Sequence, residues 1–195
     1  MKYQAPDSQS EFLPNLLNLK SVEEIALSEF EGFLKAEIVL TEKLSDKTKF
    51  NVKYILQIHK LALGHLYAFA GKYRDVNLSK GGFPFAAARF LPETMETFEK
   101  EVLSKLLKDN GNKEELISDI AVVHAELLYI HPFREGNGRT ARILANLMVR
   151  KHGYGSLLFE KVGEMEFEIY VLAVQLAAKK EYKKMEEFIA SIFPG

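Results

Sequence analysis

The chain lacks cysteine, long apolar runs and long clusters of positive charge, and each absence excludes a class of protein. Without cysteine among its 195 residues, it can form neither disulfide bridges nor a zinc site built on thiolates. No run approaches the roughly 18 apolar residues that span a bilayer, and the polar start, MKYQAPDSQS, has no secretion signal. The formal net charge of −1 disfavours a nucleic-acid partner. We therefore expect a cytoplasmic protein that binds neither membrane nor nucleic acid.

The composition that remains is typical of one globular domain, with 47% hydrophobic and 27% charged residues. Residues 1–20 are predicted to be an extended N-terminal arm, because prolines and turn-forming residues interrupt them. Residues 21–195 form the single domain, and apolar spacing near 3.6 predicts helices throughout it. The predicted helices cover about 21–44, 48–66, Pro92 to the KDNGN stretch, 113–130, 137–153, 163–178 and 180–192. Since no strands alternate with them, the fold class is all-α.

One segment, NLSKGGFPFAAARF, interrupts the helical pattern. Gly81 and Gly82 suit a tight hairpin turn, and Phe83 and Phe85 alternate after it. Pro84 removes a backbone donor, so the second strand must lie at an edge. The segment predicts a small β-hairpin that acts as a flap.

The stretch HPFREGNGRTAR, which begins at His131, holds most of the residue types that perform chemistry. Its GNGRTA portion matches the dinucleotide pattern G-x-G-x-x-A, but that pattern counts only between a strand and a helix. Here a helix precedes it, so the dinucleotide interpretation fails. The chain also contains neither the G-x-x-x-x-G-K-[ST] phosphate loop nor the H-E-x-x-H zinc motif.

Elementary helix physics favours an anion site at this loop. The helix before it ends ahead of Pro132, and a new helix begins at about Asn137, whose first N–H groups have no partner within the helix. Gly136 and Gly138 let the backbone approach a ligand closely. The helix dipole and free N–H groups suit phosphate.

Two arginines extend this anion site. Arg139 and Arg142 are three residues apart and share one helical face, so two guanidinium groups flank the site and indicate more than one phosphate.

Glu135 and His131 complete the constellation. A carboxylate beside an anion site is explained if Mg²⁺ lies between it and the phosphates. A neutral histidine is available as a general base. Taken singly, each feature is more often a cap, a turn or a surface charge, but their joint order and spacing favour a site.

At every fixed position the stretch matches H-x-F-x-[DE]-G-N-G-R-x-x-R, and the chain therefore resembles the Fic (filamentation induced by cAMP) domain family over roughly residues 50–155. This resemblance implies a Fic-type helical bundle with a core of about 48–155, C-terminal helices at about 163–192 and a β-hairpin flap. It also implies a protein adenylyltransferase, which moves AMP from ATP to a Tyr, Thr or Ser hydroxyl of a target protein. Mg²⁺ would be the cofactor.

The resemblance also assigns roles. His131 would deprotonate the attacking hydroxyl, and Glu135 would hold Mg²⁺ on the α- and β-phosphates. Gly136, Asn137 and Gly138 would form the anion hole. Arg139 and Arg142 would bind the β- and γ-phosphates. The flap would dock the target, because a target segment could pair with its edge as an added strand. The docking residues would be Lys80, Gly81, Gly82 and Phe83. The alternative is that the hairpin only packs on the core.

Family members often carry an inhibitory helix with the motif [ST]-x-x-x-E-[GN]. Outside the signature the only Glu-Gly pair is Glu31-Gly32, within the predicted helix 21–44, although Leu27 replaces the expected hydroxyl residue. We hypothesise that Glu31 binds Arg142 and represses transfer. Three alternatives stay open: removal of AMP, transfer of another nucleotide, and a nucleotide-gated interaction module with little catalysis. The resemblance also suggests a homo-oligomer.

Overall fold

The computed structural model describes residues 12–106, 112–161 and 163–194. Across these residues the chain forms seven α-helices and one two-stranded hairpin, which confirms the predicted all-α class. The helices are Val22–Glu42 (α1), Val52–Leu63 (α2), Leu91–Glu101 (α3), Lys113–Ile130 (α4), Asn137–Lys151 (α5), Glu164–Ala177 (α6) and Lys183–Ser191 (α7).

Helix α4 is the centre of the fold. It packs against α3, α5, α6 and α7, and its buried residues lie on nearly every side of the helix. Its start is a capping box, in which Asn112 accepts from the Glu115 N–H and Glu115 accepts from the Asn112 N–H. Its end is His131, at φ 53 and ψ 58 in the left-handed region. The central helix therefore delivers His131 to the start of the signature loop.

Helix α1 lies across α2 and α5. Ser21 caps its N-terminus by accepting from the Glu24 N–H at 3.3 Å, as expected, and its hydroxyl donates to Glu23 at 2.7 Å. Gly32 lets α1 touch α2, because a Cβ at this position would collide with the carbonyl oxygen of Ala62. This contact fixes which face of α1 is turned inward.

The predicted hairpin is present, with strands Ser79–Lys80 (β1) and Phe83–Pro84 (β2). The strands are antiparallel, with Lys80 opposite Phe83 and Ser79 opposite Pro84. Gly81 and Gly82 have φ values of 57 and 80, as a two-residue hairpin turn with both central residues left-handed requires.

One sequence expectation differs from the structure, and another lies partly outside the described residues. Helix α3 ends at Glu101 rather than in the KDNGN stretch, because a 3-10 turn over Leu103–Lys105 follows and buries Leu103 in the core. Residues 12–20 contain neither helix nor strand, while residues 1–11 of the predicted arm lie outside the described residues. No helix within the described residues is long and apolar enough to cross a membrane.

Candidate active site

The signature loop joins α4 to α5 and is braced from inside. Asn137 is buried, and its side chain both accepts from the Phe133 N–H and donates to the Phe133 carbonyl oxygen, each at 2.8 Å. Phe133 is completely buried and stacks on the ring of His59 with centroids 3.8 Å apart. His59 in turn bridges the Gly71 N–H and the Glu135 carbonyl oxygen. Phe133 is thus part of the core, and the side chain of Asn137 supports the loop.

The two glycines of the loop have different tasks. Gly136 has φ 76, and a Cβ there would lie 2.9 Å from Phe33 Cζ and 3.0 Å from Leu63 Cδ1. A Cβ on Gly138 would meet nothing within 4 Å. Gly136 is therefore needed for the turn and for packing under α1, whereas Gly138 leaves open space in front of the first N–H groups of α5.

The start of α5 lines a cavity of about 470 Å³ between α5, α6 and the flap. The side chains and glycines around it include most of the predicted site: Lys80, Gly81, Phe83, His131, Glu135, Gly136, Gly138, Arg139 and Arg142. Phe85 and the α6 residues Phe167, Tyr170, Val171 and Val174 add an apolar wall. Chemically, the cavity combines an anion-binding end with an apolar side large enough for a small aromatic group.

His131 is buried beneath the flap. The Phe85 ring stacks on its imidazole with centroids 3.8 Å apart and planes 11° apart. Nδ1–H donates to the Leu128 carbonyl oxygen at 3.0 Å, which places the ring's lone pair on Nε2. Burial, together with the charges of the nearby Arg74 and Lys80, lowers the pKa of His131 to about 3. The imidazole is therefore neutral at ordinary pH.

Glu135 occupies a crowded electrostatic position. Its Oε1 accepts from the Gly136 N–H at 2.8 Å and lies 3.4 Å from Arg139 Nη2. Burial raises the pKa of Glu135, as does the negative charge of Glu29, while the Gly136 N–H and Arg139 oppose the rise. Two carboxylates thus share a single guanidinium.

Arg139 is the guanidinium between them. Its Nη2 donates to Glu29 Oε2 at 2.6 Å, and its guanidinium lies 4.6 Å above the Phe33 ring. The second oxygen of Glu29 accepts from the Tyr67 hydroxyl at 2.6 Å. Arg139 is therefore held by α1 at the point where the sequence predicts it to meet phosphate.

Arg142 lies one turn further along α5. Its guanidinium is 5.4 Å from the Phe159 ring centroid. Burial raises the pKa of Tyr170 to about 12, and the charge of Arg142 opposes that rise. The Tyr170 hydroxyl also shares a 2.8 Å hydrogen bond with His124 Nε2.

The signature and its surroundings match known proteins. The sequence pattern of the Fic/DOC family matches residues 49–149, which is half of the chain. The chain belongs to the Fic/DOC family.

The curated relatives of this Fic domain include two proteins named "Protein adenylyltransferase Fic". The one from Drosophila grimshawi is 28% identical over 172 residues, which cover 88% of this chain and 34% of the relative. The one from Drosophila melanogaster is 27% identical and is covered to 33%. The chain thus spans about a third of the length of these relatives.

Solved structures confirm the Fic-type fold. The N-terminal Fic domain of Bep8 from Bartonella sp. 1-1C superposes with a TM-score of 0.79 at 21% identity, covering 97% of this chain and 94% of that one. BepC from Bartonella tribocorum, solved with bound AMPPNP, gives 0.77 at 19% identity and coverages of 97% and 96%. Fic-1 from C. elegans gives 0.66 at 22% identity, with coverages of 90% and 50%.

The structure corrects the acid that was expected to face the signature arginines. Glu31 is exposed, and the carboxylate inside the site belongs to Glu29, which contacts Arg139 rather than Arg142. The reason is the close contact of Gly32 with α2, since Glu29 lies on the same side of α1 as Gly32 and Glu31 is turned about 100° away. A signal existed in the sequence, because Glu29 stands four residues from both Ile25 and Phe33 on the apolar face.

The flap residues fall into two groups. Lys80, Gly81 and Phe83 line the cavity, whereas Gly82 completes the turn. Phe83 contacts Phe85 edge-on, with ring centroids 6.1 Å apart. The hairpin therefore both covers the site and packs on His131, and its role in docking a target stays a prediction.

Proposed function

We propose that this domain transfers AMP from ATP to the hydroxyl of a Tyr, Thr or Ser side chain on a target protein. The observation that carries the proposal is the convergence of His131, Glu135, the α5 N-terminus and both signature arginines on one cavity beside the flap. The names of the two curated relatives support the same activity.

Triphosphate binding follows from the charges of this cavity. The first N–H groups of α5 and the open space before Gly138 form a cradle for phosphate oxygens. Arg139 and Arg142 would neutralise further phosphates, each by two parallel hydrogen bonds. The apolar wall from α6 and the flap would take the base, which fits the AMPPNP seen in BepC.

The site fits Mg²⁺ only together with a nucleotide. Within the described residues, no group of three or more His, Cys, Asp or Glu side chains could hold a metal ion. Glu135 is a single carboxylate whose pKa is raised by burial and by Glu29. A positive charge bound beside it would stabilise its ionised form. This suits Mg²⁺, which commonly takes one or two carboxylates together with phosphate oxygens and water. Bound there by Glu135, the ion would neutralise phosphate charge.

The reaction would need one proton acceptor and one in-line displacement. The His131 imidazole accepts the proton of the target hydroxyl at Nε2, and the oxygen forms a bond to the α-phosphorus. The bond from that phosphorus to the bridging oxygen breaks, and the electron pair leaves with pyrophosphate. A target segment that pairs with the edge of the hairpin would present its hydroxyl near His131.

Regulation would come from α1. In this arrangement Arg139 is bound by Glu29 at 2.6 Å and is withheld from phosphate. Nucleotide must therefore compete with a carboxylate that is itself held by the Tyr67 hydroxyl. We infer that Glu29, in place of Glu31, represses transfer by occupying Arg139.

Removal of AMP from a modified target is a second candidate. The observation that favours it is again Glu29, since a buried carboxylate bound to an arginine of the cavity could orient a water molecule. In that case, loss of Glu29 would abolish removal while it increased transfer.

The decisive experiment compares label from α- and γ-labelled ATP on Glu29→Gln protein with Mg²⁺. Transfer of AMP predicts label from the α-phosphate only, and none when His131→Ala is added. Label from the γ-phosphate would indicate phosphate transfer. Tight ATP binding without any label would indicate an interaction module. Loss of AMP from pre-labelled protein on addition of the unmodified chain, but not of Glu29→Gln, would support removal.

A further inference from the structure

Arg74 lies outside the signature, yet it is the only buried arginine or lysine among the described residues, with 4% of its surface exposed. Every hydrogen bond of its guanidinium goes to a backbone carbonyl oxygen. Burial lowers its pKa to about 10, so the group still carries its charge at neutral pH. Burial of a charged group is costly, so a guanidinium that is bound only by backbone carbonyls indicates a structural role for those hydrogen bonds.

One side of the Arg74 guanidinium holds the flap. Nη1 donates to the Val76 carbonyl oxygen at 2.6 Å, just before β1, and Nη2 donates to that of Ala86 at 2.5 Å, just after β2. The two stems of the hairpin are therefore tied to the same planar group. Its rigid fork fixes the position of both stems together.

The other side of Arg74 holds the end of α4. Nε donates to the His131 carbonyl oxygen at 2.7 Å, and Nη2 lies 3.4 Å from that of Ile130. The Arg74 N–H donates to the Pro132 carbonyl oxygen at 2.9 Å. The Ile130 and His131 carbonyls lie at the C-terminal, negative end of the α4 dipole, which a cation stabilises.

The backbone conformation of His131 explains why the hydrogen bonds from Arg74, which together clamp the end of α4 to the flap, are needed. A left-handed backbone is disfavoured for any residue with a Cβ, and it persists only when surrounding contacts impose it. Arg74 makes those contacts to the residue itself and to both its neighbours.

We propose that Arg74 is a positioning residue that fixes the flap, where a target would dock, relative to the backbone of His131. A shift of the flap is thereby passed to the imidazole through one rigid group. The inference rests on the proposed AMP transfer, since it concerns the base of that reaction.

Asn77 provides a matched control within the same flap. Its Oδ1 accepts from the Ala88 N–H at 2.9 Å and closes the base of the hairpin, but this bond does not reach α4. Asn77→Ala therefore loosens the flap alone. Arg74→Lys keeps the positive charge and loses the fork that joins flap and helix.

The experiment measures self-labelling by α-labelled ATP in the Glu29→Gln background, together with the Kd of MgATP. We expect Arg74→Lys to lower the maximal rate about 10- to 100-fold, as misplacement of a catalytic group does, with no change in Kd. Asn77→Ala should slow labelling much less. Equal losses in both variants, or a loss that follows from weaker MgATP binding, would overturn the proposal.

Two spectroscopic readouts keep the test independent of the reaction. Exchange of the Phe85 N–H, which donates to Leu78, should speed up in both variants. The NMR resonances of the His131 ring should shift in Arg74→Lys only. If the parent protein transfers no AMP, the proposed function fails, and an unchanged ring in Arg74→Lys would still refute the positioning role.

A variant that does not fold leaves a measurement on the parent chain. The Arg74 Nε–H should exchange slowly with solvent, because it is buried and bound to His131. Exchange as fast as that of the exposed Arg89 would refute the clamp.

Discussion

Glu29 and Arg139, which are 110 residues apart in the chain, form an ion pair of 2.6 Å that joins α1 to α5 inside the candidate active site. The same arginine is a signature residue expected to bind phosphate. One contact thus connects the packing of the N-terminal helix to the availability of the nucleotide site.

The first prediction concerns this ion pair. Glu29→Gln removes the charge that competes with phosphate, so MgATP should bind about tenfold more tightly, or 1.4 kcal/mol. Glu31→Gln is the matched control, because Glu31 is an exposed residue of the same helix. Titration calorimetry of both variants checks this, and equal affinity in the two would show that Glu29 does not compete.

The gain in affinity should be accompanied by a loss in stability. Glu29→Gln leaves the Tyr67 hydroxyl and Arg139 with a neutral partner, and hydrogen bonds to charged groups contribute about 1.5–3 kcal/mol. Urea unfolding should therefore show a lower midpoint for Glu29→Gln than for Glu31→Gln.

The signature site could be predicted from the sequence because it is local. His131 to Arg142 form one helix end, one loop and one helix start, so their relative positions follow from backbone rules. The hairpin was equally predictable, since Gly81 and Gly82 determine its turn.

Glu29 and Arg74 could not be found by the same route. Each reaches the site through a tertiary contact, from α1 and from the loop after α2. The apolar spacing of α1 indicates that Glu29 is buried, but no short-range period encodes the partner that either residue contacts. For Glu29 the missing fact was the rotation of α1, which the contact between Gly32 and Ala62 sets. The sequence motif predicts that Gly32 belongs to an inhibitory segment, whereas in the structure Gly32 allows the close packing of α1 on α2.

The second prediction concerns acid stability. Burial lowers the pKa of His59 to about 4, and those of His124 and His131 to about 3, from an ordinary value of 6.5. Between pH 6.5 and about 4 the unfolded chain therefore binds more protons than the folded one. The free energy of unfolding should therefore decrease as the pH is lowered through this range, by about 1.4 kcal/mol per pH unit for each histidine. Glu135, with its raised pKa, acts in the opposite direction near pH 4.5.

Urea midpoints at pH 7, 6 and 5 measure this slope. His124→Gln should reduce it, because two buried histidines remain in place of three. A slope that His124→Gln leaves unchanged would contradict the assignment.

The third prediction concerns the flap and the base. Phe85→Ala exposes the His131 ring to water, so the pKa of His131 should rise from about 3 towards 6.5. The sign follows because burial is the main cause of the lowering. NMR titration of the ring checks the shift. Phe83→Ala serves as the control, because it removes an aromatic ring from the same hairpin, one that contacts Phe85 and Tyr129, and leaves the Phe85 ring on His131 in place. Equal pKa values of His131 in the two variants would show that groups other than Phe85 bury its ring.

The last prediction separates the two glycines of the loop. Gly136→Ala forces a Cβ onto a left-handed residue and against Phe33 and Leu63, so it should destabilise the fold by roughly 1–3 kcal/mol. Gly138→Ala meets no neighbouring atom and should leave the urea midpoint nearly unchanged. Its methyl group would stand in the phosphate cradle, so MgATP binding should weaken in a protein of normal stability. Calorimetry and urea unfolding of both variants test this, and normal MgATP affinity in Gly138→Ala would move the triphosphate away from the start of α5.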